Sequence, residues 1–198
     1  MTRIEQPTAA GRSHDWGRPR SKTVTWRDPA ITAAAAPSMS GIDFLRAIRD
    51  GDLPPPPMAA LFGMRMRDIE LGRVAFEYEP DESVYNPIGM VHGGVVCALA
   101  DTVVGCAVHT TLDPGVGYTS IDLQIGYLRS LSATSGPIVA TGLVTKPGRR
   151  VAFARAEITD GAGRPVATAT GTCLIIDGRG RDDRHRPPPE PATSRWTP

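Results

Sequence analysis

Residues 91–108 limit what this chain can fold into more than any other stretch. They read VHGGVVCALADTVVGCAV, apolar or small at nearly every position, with Asp101 the one formally charged residue between Gly93 and Val108. That length and apolarity raise the question of a membrane span. Asp101 near the middle, and strand-like runs downstream, point instead to a helix buried in a soluble domain. Val95, Val96, Leu99, Val103, Val104 and Val108 project in most directions around such a helix, and Cys97, Ala98, Ala100, Gly105, Cys106 and Ala107 fill the gaps. A helix apolar on every side is expected to be enclosed, and small residues let a curved sheet approach it closely.

The flanks supply the sheet. Runs at 62–70 and 73–78 read as two strands joined at Leu71-Gly72, and runs at 118–129, 138–146, 151–160 and 166–177 as four more. Alternation is clearest where Val151, Phe153, Arg155, Glu157 and Thr159 interleave with Ala152, Ala154, Ala156 and Ile158. Gly161-Ala162-Gly163 suits a hairpin loop. The order β-β-α-β-β-β-β with one dominant helix predicts an α+β domain, an antiparallel sheet wrapped around that helix.

Ahead of the sheet, Ser40 is a candidate N-cap for a short amphipathic helix with Ile42, Phe44, Leu45 and Ile48 on its apolar stripe, ended by Gly51. Residues 54–57 are four prolines, which predict extended chain, and Met58, Leu61 and Phe62 are expected to plug a surface groove. Residues 1–38 lack a sustained period and read as a flexible arm; residues 39–177 form the domain with its helical extension; residues 178–198, rich in Arg, Asp and Pro, read as a disordered tail.

A formal net charge of +1 offers no field for nucleic acid or an anionic membrane. Cys97, Cys106 and Cys173, an odd number without framework spacing, fit a reducing compartment, and no apolar leader is visible in the first twenty residues. Both point to the cytoplasm. His14, His92, His109 and His185 are scattered, so no metal site is expected.

Asp101 is the chief candidate for chemistry. Burying an unpaired carboxylate costs several kcal/mol or raises its pKa above about 3.9, so a fold keeps one where something compensates or uses it. A structural Asp capping a neighbouring loop would also satisfy this. Upstream, Asn86-Pro87-Ile88-Gly89-Met90-Val91-His92-Gly93-Gly94 places two glycines at a helix start, leaving first-turn N–H groups open to a developing oxyanion; glycines needed for close packing would look the same. Gly93 and Asp101 lie about 12 Å apart along one helix axis, whereas a reacting carbonyl needs contacts of roughly 3 Å. If both serve one site, two antiparallel copies of the helix must meet. Cys97, one turn before Asp101, has nothing nearby in sequence to lower its pKa and is not expected to be a nucleophile. His109 is expected on the surface or at an interface.

Asn86-x5-His92-Gly93-Gly94-x6-Asp101-Thr102, then residues 120–129 (SIDLQIGYLR), then Gly148-Arg149-Arg150-Val151-Ala152, together resemble the PaaI-like branch of the hot-dog acyl-CoA thioesterases. The resemblance runs from about Phe62 to Ile176. It implies the hot-dog fold, a curved antiparallel sheet wrapped around one long central helix, in a homodimer at minimum and often a homotetramer. It implies Asp101 as general base or nucleophile, the Gly93 N–H polarising the thioester carbonyl with help from Asn86, and His92 supporting the loop at the helix start. Ser120 or Thr119 would hold water near the carboxylate, and Lys146, Arg149 and Arg150 would meet the phosphates of CoA, although a solvated hairpin rim would carry the same residues. The resemblance implies acyl-CoA as substrate and no cofactor. Gly105, one turn after Asp101, stands where some related enzymes carry a hydroxyl residue, which leaves water positioning to residues 119–120.

A thioester suits such sparse machinery, because its carbonyl is poorly resonance-stabilised and its thiolate leaves well. Two other readings keep the fold: a non-catalytic acyl-CoA binding or sensing protein, and a dehydratase of hydroxyacyl thioesters using His92. An α/β-hydrolase is excluded, since the chain has no G-x-S-x-G elbow.

Overall fold

The computed structural model describes residues 16–177. Residues 1–15 and 178–198, the outer arm and the tail expected to be disordered, lie outside the described residues. Three short helices lead in. In α1, Pro29–Ala35, the Asp28 side chain accepts from Ala30 N–H and Pro29 begins the helix, where its missing N–H costs nothing. This helix falls within the stretch read as an arm. Helix α2, Gly41–Asp50, forms where the capping residues predict: Ser40 Oγ accepts from Asp43 N–H at 3.3 Å, and Gly51 ends it at φ 88°. Helix α3, Pro57–Phe62, was not foreseen. Pro56 is extended, at ψ 148°, but Pro57 opens the first turn and Gly63, at φ 72°, closes the last.

Six strands follow: β1 Met64–Glu70, β2 Arg73–Tyr78, β3 Val116–Tyr127, β4 Ile138–Lys146, β5 Val151–Thr159 and β6 Pro165–Asp177. They form one antiparallel sheet in the order β1-β2-β4-β5-β6-β3, leaving β1 and β3 at the edges. The central helix α4, Gly93–His109, lies across this sheet. Its Leu99, Val103, Val104 and Val108 are buried with Val74 of β2, Ile138 of β4, Ile158 of β5 and Val166 of β6, each such side chain contributing about 1.5–3 kcal/mol over exposure. Close approach is set by the sheet as well as the helix: a Cβ on Gly142 of β4 would fall 2.0 Å from the Val103 carbonyl oxygen.

The sheet does not enclose α4 completely. Cys97, Ala98 and Thr102 are half-buried and Asp101 is exposed in the single chain. The sheet covers only the side it packs on. At the far end of α4, α2 docks by donating Gly41 N–H to the Leu112 carbonyl at 2.9 Å. Segment 20–22 is fastened beside the 3₁₀ turn Glu82–Val84 by ion pairs Arg20–Glu82 and Lys22–Asp81, the latter at 2.6 Å. Hydrogen bonds from Lys22 and Ser83 hold the Asp81 carboxyl down at about 2. Among the described residues no helix is long and apolar enough to cross a membrane.

Candidate active site

The loop entering α4 is fixed by its own side chains. Asn86 Oδ1 accepts from Ile88 N–H at 3.1 Å and Met90 N–H at 3.2 Å, and Asn86 N–H donates to the Met90 carbonyl at 2.7 Å. Val91 N–H donates to Leu131 O and His92 N–H to Val84 O, both at 2.9 Å. His92 is the N-cap: its Nδ1 accepts from Gly94 N–H at 2.9 Å, which requires that nitrogen to be unprotonated. Of the two glycine donors expected to be open, Gly94 is therefore taken. Gly93 N–H has no partner among the described residues, at the positive end of a helix of 17 residues. Tyr127, from the end of β3, donates its hydroxyl to Gly93 O at 3.0 Å.

Asp101 is exposed in the single chain and lies close enough to Tyr118 of β3 and Cys173 of β6 to act on them electrostatically. Its expected burial does not occur within one chain, so the penalty for a buried carboxylate does not apply to the isolated protomer. It opens instead onto a cavity of about 740 Å³. Thr102, Cys106 and His109 continue that wall along α4; Tyr118 and Ser120 of β3, Met64 and Met66 of β1 and Phe76 of β2 complete its inner side. The outer side is made by Phe44, Leu45 and Ile48 of α2 and by residues of α1 and α3. Ser120 shares this cavity with Asp101 and Thr119 does not, which separates two residues that the sequence left paired.

Tyr118 and His109 carry features that sequence reading missed. The His109 ring lies 5.4 Å from the Phe44 ring and 5.5 Å from the Tyr118 ring, centre to centre, so it stands in the cavity wall rather than on the surface. Burial lowers its pKa. Burial likewise raises Tyr118 well above the usual phenol value, keeping it protonated. Its hydroxyl has no hydrogen-bond partner among the described residues and reaches the space beside Gly105, where an added Cβ would fall 2.6 Å away. Spacing in the chain gave no signal for these contacts.

Cys106 is inert as a nucleophile, since burial pushes its thiol to about 12. Lys146, Arg149 and Arg150 are exposed at and after the end of β4, outside the cavity lining. Asn86, His92 and Gly93 gather at the start of α4, also outside it. Within one chain the open Gly93 donor therefore stands at the start of α4, and Asp101, which shares its cavity with Ser120, about 12 Å along the axis.

Residues 88–167 match the family model of the thioesterase superfamily. The chain carries a thioesterase-superfamily domain. Mouse acyl-coenzyme A thioesterase 13 is 31% identical over 84 residues, which span 42% of this chain and 59% of the mouse protein. A solved phenylacetic acid degradation-related protein from Ralstonia eutropha is 29% identical, covering 65% of this chain and 97% of its own with a TM-score of 0.60. The PaaI protein of the Escherichia coli phenylacetic acid degradation operon covers 70% of this chain and 96% of its own at a TM-score of 0.61; at 21% identity it speaks to the fold alone. The thioesterase domain has the hot-dog architecture expected from the sequence, six antiparallel strands against one long helix. Its matched residues begin downstream of α1–α3, so the thioesterase model does not account for those helices.

Proposed function

We propose that this protein is an acyl-CoA thioesterase, releasing an aromatic or medium-chain acid and free CoA, with each catalytic site shared between two protomers. The observation that carries the reading is the arrangement of α4: Asp101 exposed at a cavity, and an unpartnered Gly93 N–H too far along the same helix to reach the same carbonyl. Antiparallel pairing of two α4 helices brings Asp101 of one chain to Gly93 of the partner subunit. The edge strand β3 favours such pairing. It is 12 residues long, has one unpaired side and exposes Ile121 and Tyr127, a surface that folded proteins cover. The assembly is a homodimer at minimum, arranged as a homotetramer, working in the cytoplasm.

In this mechanism Asp101 acts as general base on a water held by Ser120, or attacks the carbonyl itself. On the water route, oxygen bonds to the carbonyl carbon while its proton passes to Asp101. The negative charge on the carbonyl oxygen is met by the Gly93 N–H, assisted by the Asn86 amide, a fixed donor that needs no reorganisation. Collapse breaks the carbon–sulfur bond, and the thiolate of CoA takes the proton back from Asp101. Lys146, Arg149 and Arg150 meet the CoA phosphates. The dehydratase reading asks His92 to move a proton, but its Nδ1 is engaged in capping α4.

Release of free thiol from a panel of acyl-CoAs, with Asp101→Asn as control, tests the reading. The variant is expected to fold, bind CoA and lose at least about 10²-fold in hydrolysis. Equal activity removes Asp101 from the mechanism. Water loss without thiol release favours a dehydratase, and binding without turnover favours a sensing protein.

A further inference from the structure

Helices α1–α3 and the proline run between α2 and α3 form the outer wall of the Asp101 cavity, through Thr32, Ala33, Pro55, Pro56, Met58 and Ala59. They lie outside the matched thioesterase domain. We infer that this amino-terminal wall is an acyl-selecting subsite, contributed by the same chain that supplies Asp101, and that it takes acyl groups of medium length or with a ring in preference to acetyl. The inference rests on the thioesterase reading and deepens it.

The wall is anchored. Leu45 and Ile48 of α2 are buried in or beside the core, and a Cβ on Gly41 would fall 1.8 Å from the His109 carbonyl oxygen, so α2 sits directly on the end of α4. Thr32 Oγ1 donates to the Pro54 carbonyl at 2.7 Å, tying α1 to the proline run. Two anchored surfaces nevertheless stand apart, and the gap is lined mainly by apolar side chains. Protein interiors close such gaps, because lining atoms without neighbours forfeit their dispersion contacts. A space of this size fits an occupant, and about 740 Å³ falls within the range of ligand pockets.

The occupant is defined by what stands at each end. Asp101 and Ser120 mark the reacting end, where a thioester carbonyl belongs. His109 lies eight residues further along α4 from Asp101, or about 12 Å, with Phe44 of α2 beside it. An apolar chain or aryl group running from the carbonyl toward Phe44 fills that length; acetyl leaves most of it empty. Ala33 of α1 and Ala59 of α3 are the small side chains on the wall, so they are the positions from which a larger group would shorten the space.

The experiment compares the full chain with Ala33→Trp and, separately, Ala59→Trp. Ala33 is exposed and Ala59 half-buried, so neither indole is forced into the core. Hydrolysis of acetyl-, hexanoyl-, decanoyl- and phenylacetyl-CoA is measured, together with calorimetric binding of S-decyl-CoA, a thioether that is not cleaved. Decanoyl-CoA hydrolysis and S-decyl-CoA affinity are expected to fall about tenfold or more, the equivalent of two methylenes left in water, while acetyl-CoA hydrolysis and binding of CoA alone stay within about twofold. An equal loss on acetyl- and decanoyl-CoA, or no loss on decanoyl-CoA and S-decyl-CoA with either variant, overturns the inference. Because the thioether binding needs no turnover, it decides the subsite even if the chain hydrolyses none of the thioesters, an outcome that would sink only the thioesterase reading.

Discussion

Gly105 and Tyr118 compete for one space: a Cβ on Gly105 would lie 2.6 Å from the Tyr118 hydroxyl, 2.7 Å from Cε2 and 3.0 Å from Cζ. Two effects oppose each other in Gly105→Ala. Helix propensity favours alanine by about 1 kcal/mol, whereas overpacking costs about 1–3 kcal/mol. The phenol ring is held beside His109 and cannot swing away freely, so the variant is expected to lose about 1–2 kcal/mol by urea denaturation. Tyr118→Phe should not rescue it, because the ring carbons remain. In a Tyr118→Ala background the same Gly105→Ala change should become neutral or stabilising. A Gly105→Ala penalty unchanged by Tyr118→Ala would contradict the shared space.

His92 caps α4 through Nδ1 to Gly94 N–H. Losing such a cap costs about 0.5–2 kcal/mol. His92→Ala is therefore expected to lower the urea midpoint while His92→Asn, which retains an acceptor, restores most of it. Thiol release by the folded His92→Asn variant should stay within about tenfold of the parent, below the usual contribution of a proton-transferring side chain. A larger loss would give His92 a chemical role.

The half-buried His109 ring is expected to make stability depend on pH. Burial lowers its folded pKa below the ordinary 6.5. Above that value both folded and unfolded states carry a neutral ring. As pH falls below it, the unfolded chain takes up a proton that the folded chain resists, so stability is lost until the pH reaches the lowered folded value. Urea midpoints at about pH 7.5 and pH 5.5 should differ more in the parent than in His109→Phe. Equal differences would mean that His109 does not contribute.

The parts of the fold that were legible in the sequence have local causes. Helix α4 begins at the glycine pair that opens its apolar run. Helix α2 is marked by Ser40 and Gly51 at its ends, and β2 and β4 match their expected limits. Helix α3 was hidden because six residues behind a proline run have too few turns to show a period. The exposure of Asp101 was missed for a different reason: an apolar helix surface states that something covers it, and not whether the cover comes from the same chain. Ser120 and Thr119 were inseparable by alternation, and the register shift between Ser120 and Asp122 alters the alternation at that point. The Phe44–His109–Tyr118 cluster joins α2, α4 and β3, which no spacing along the chain reveals.

The proposed site between protomers makes a demand that no single-chain site makes. Gly93→Pro removes the open N–H at the first position of α4, where proline is tolerated, and His92 at φ −62° and ψ 132° already has the extended conformation that precedes a proline. Asp101→Asn removes the carboxylate from the other half-site. Each variant alone is expected to be nearly inactive in thiol release. When the two are co-expressed with different tags and pair at random, half the dimers are mixed. Each mixed dimer has one site with both lesions and one with neither, so the purified pool should regain about one quarter of the parent activity. No recovery in mixed dimers, with both variants folded and paired, would show that Asp101 and Gly93 do not meet across protomers.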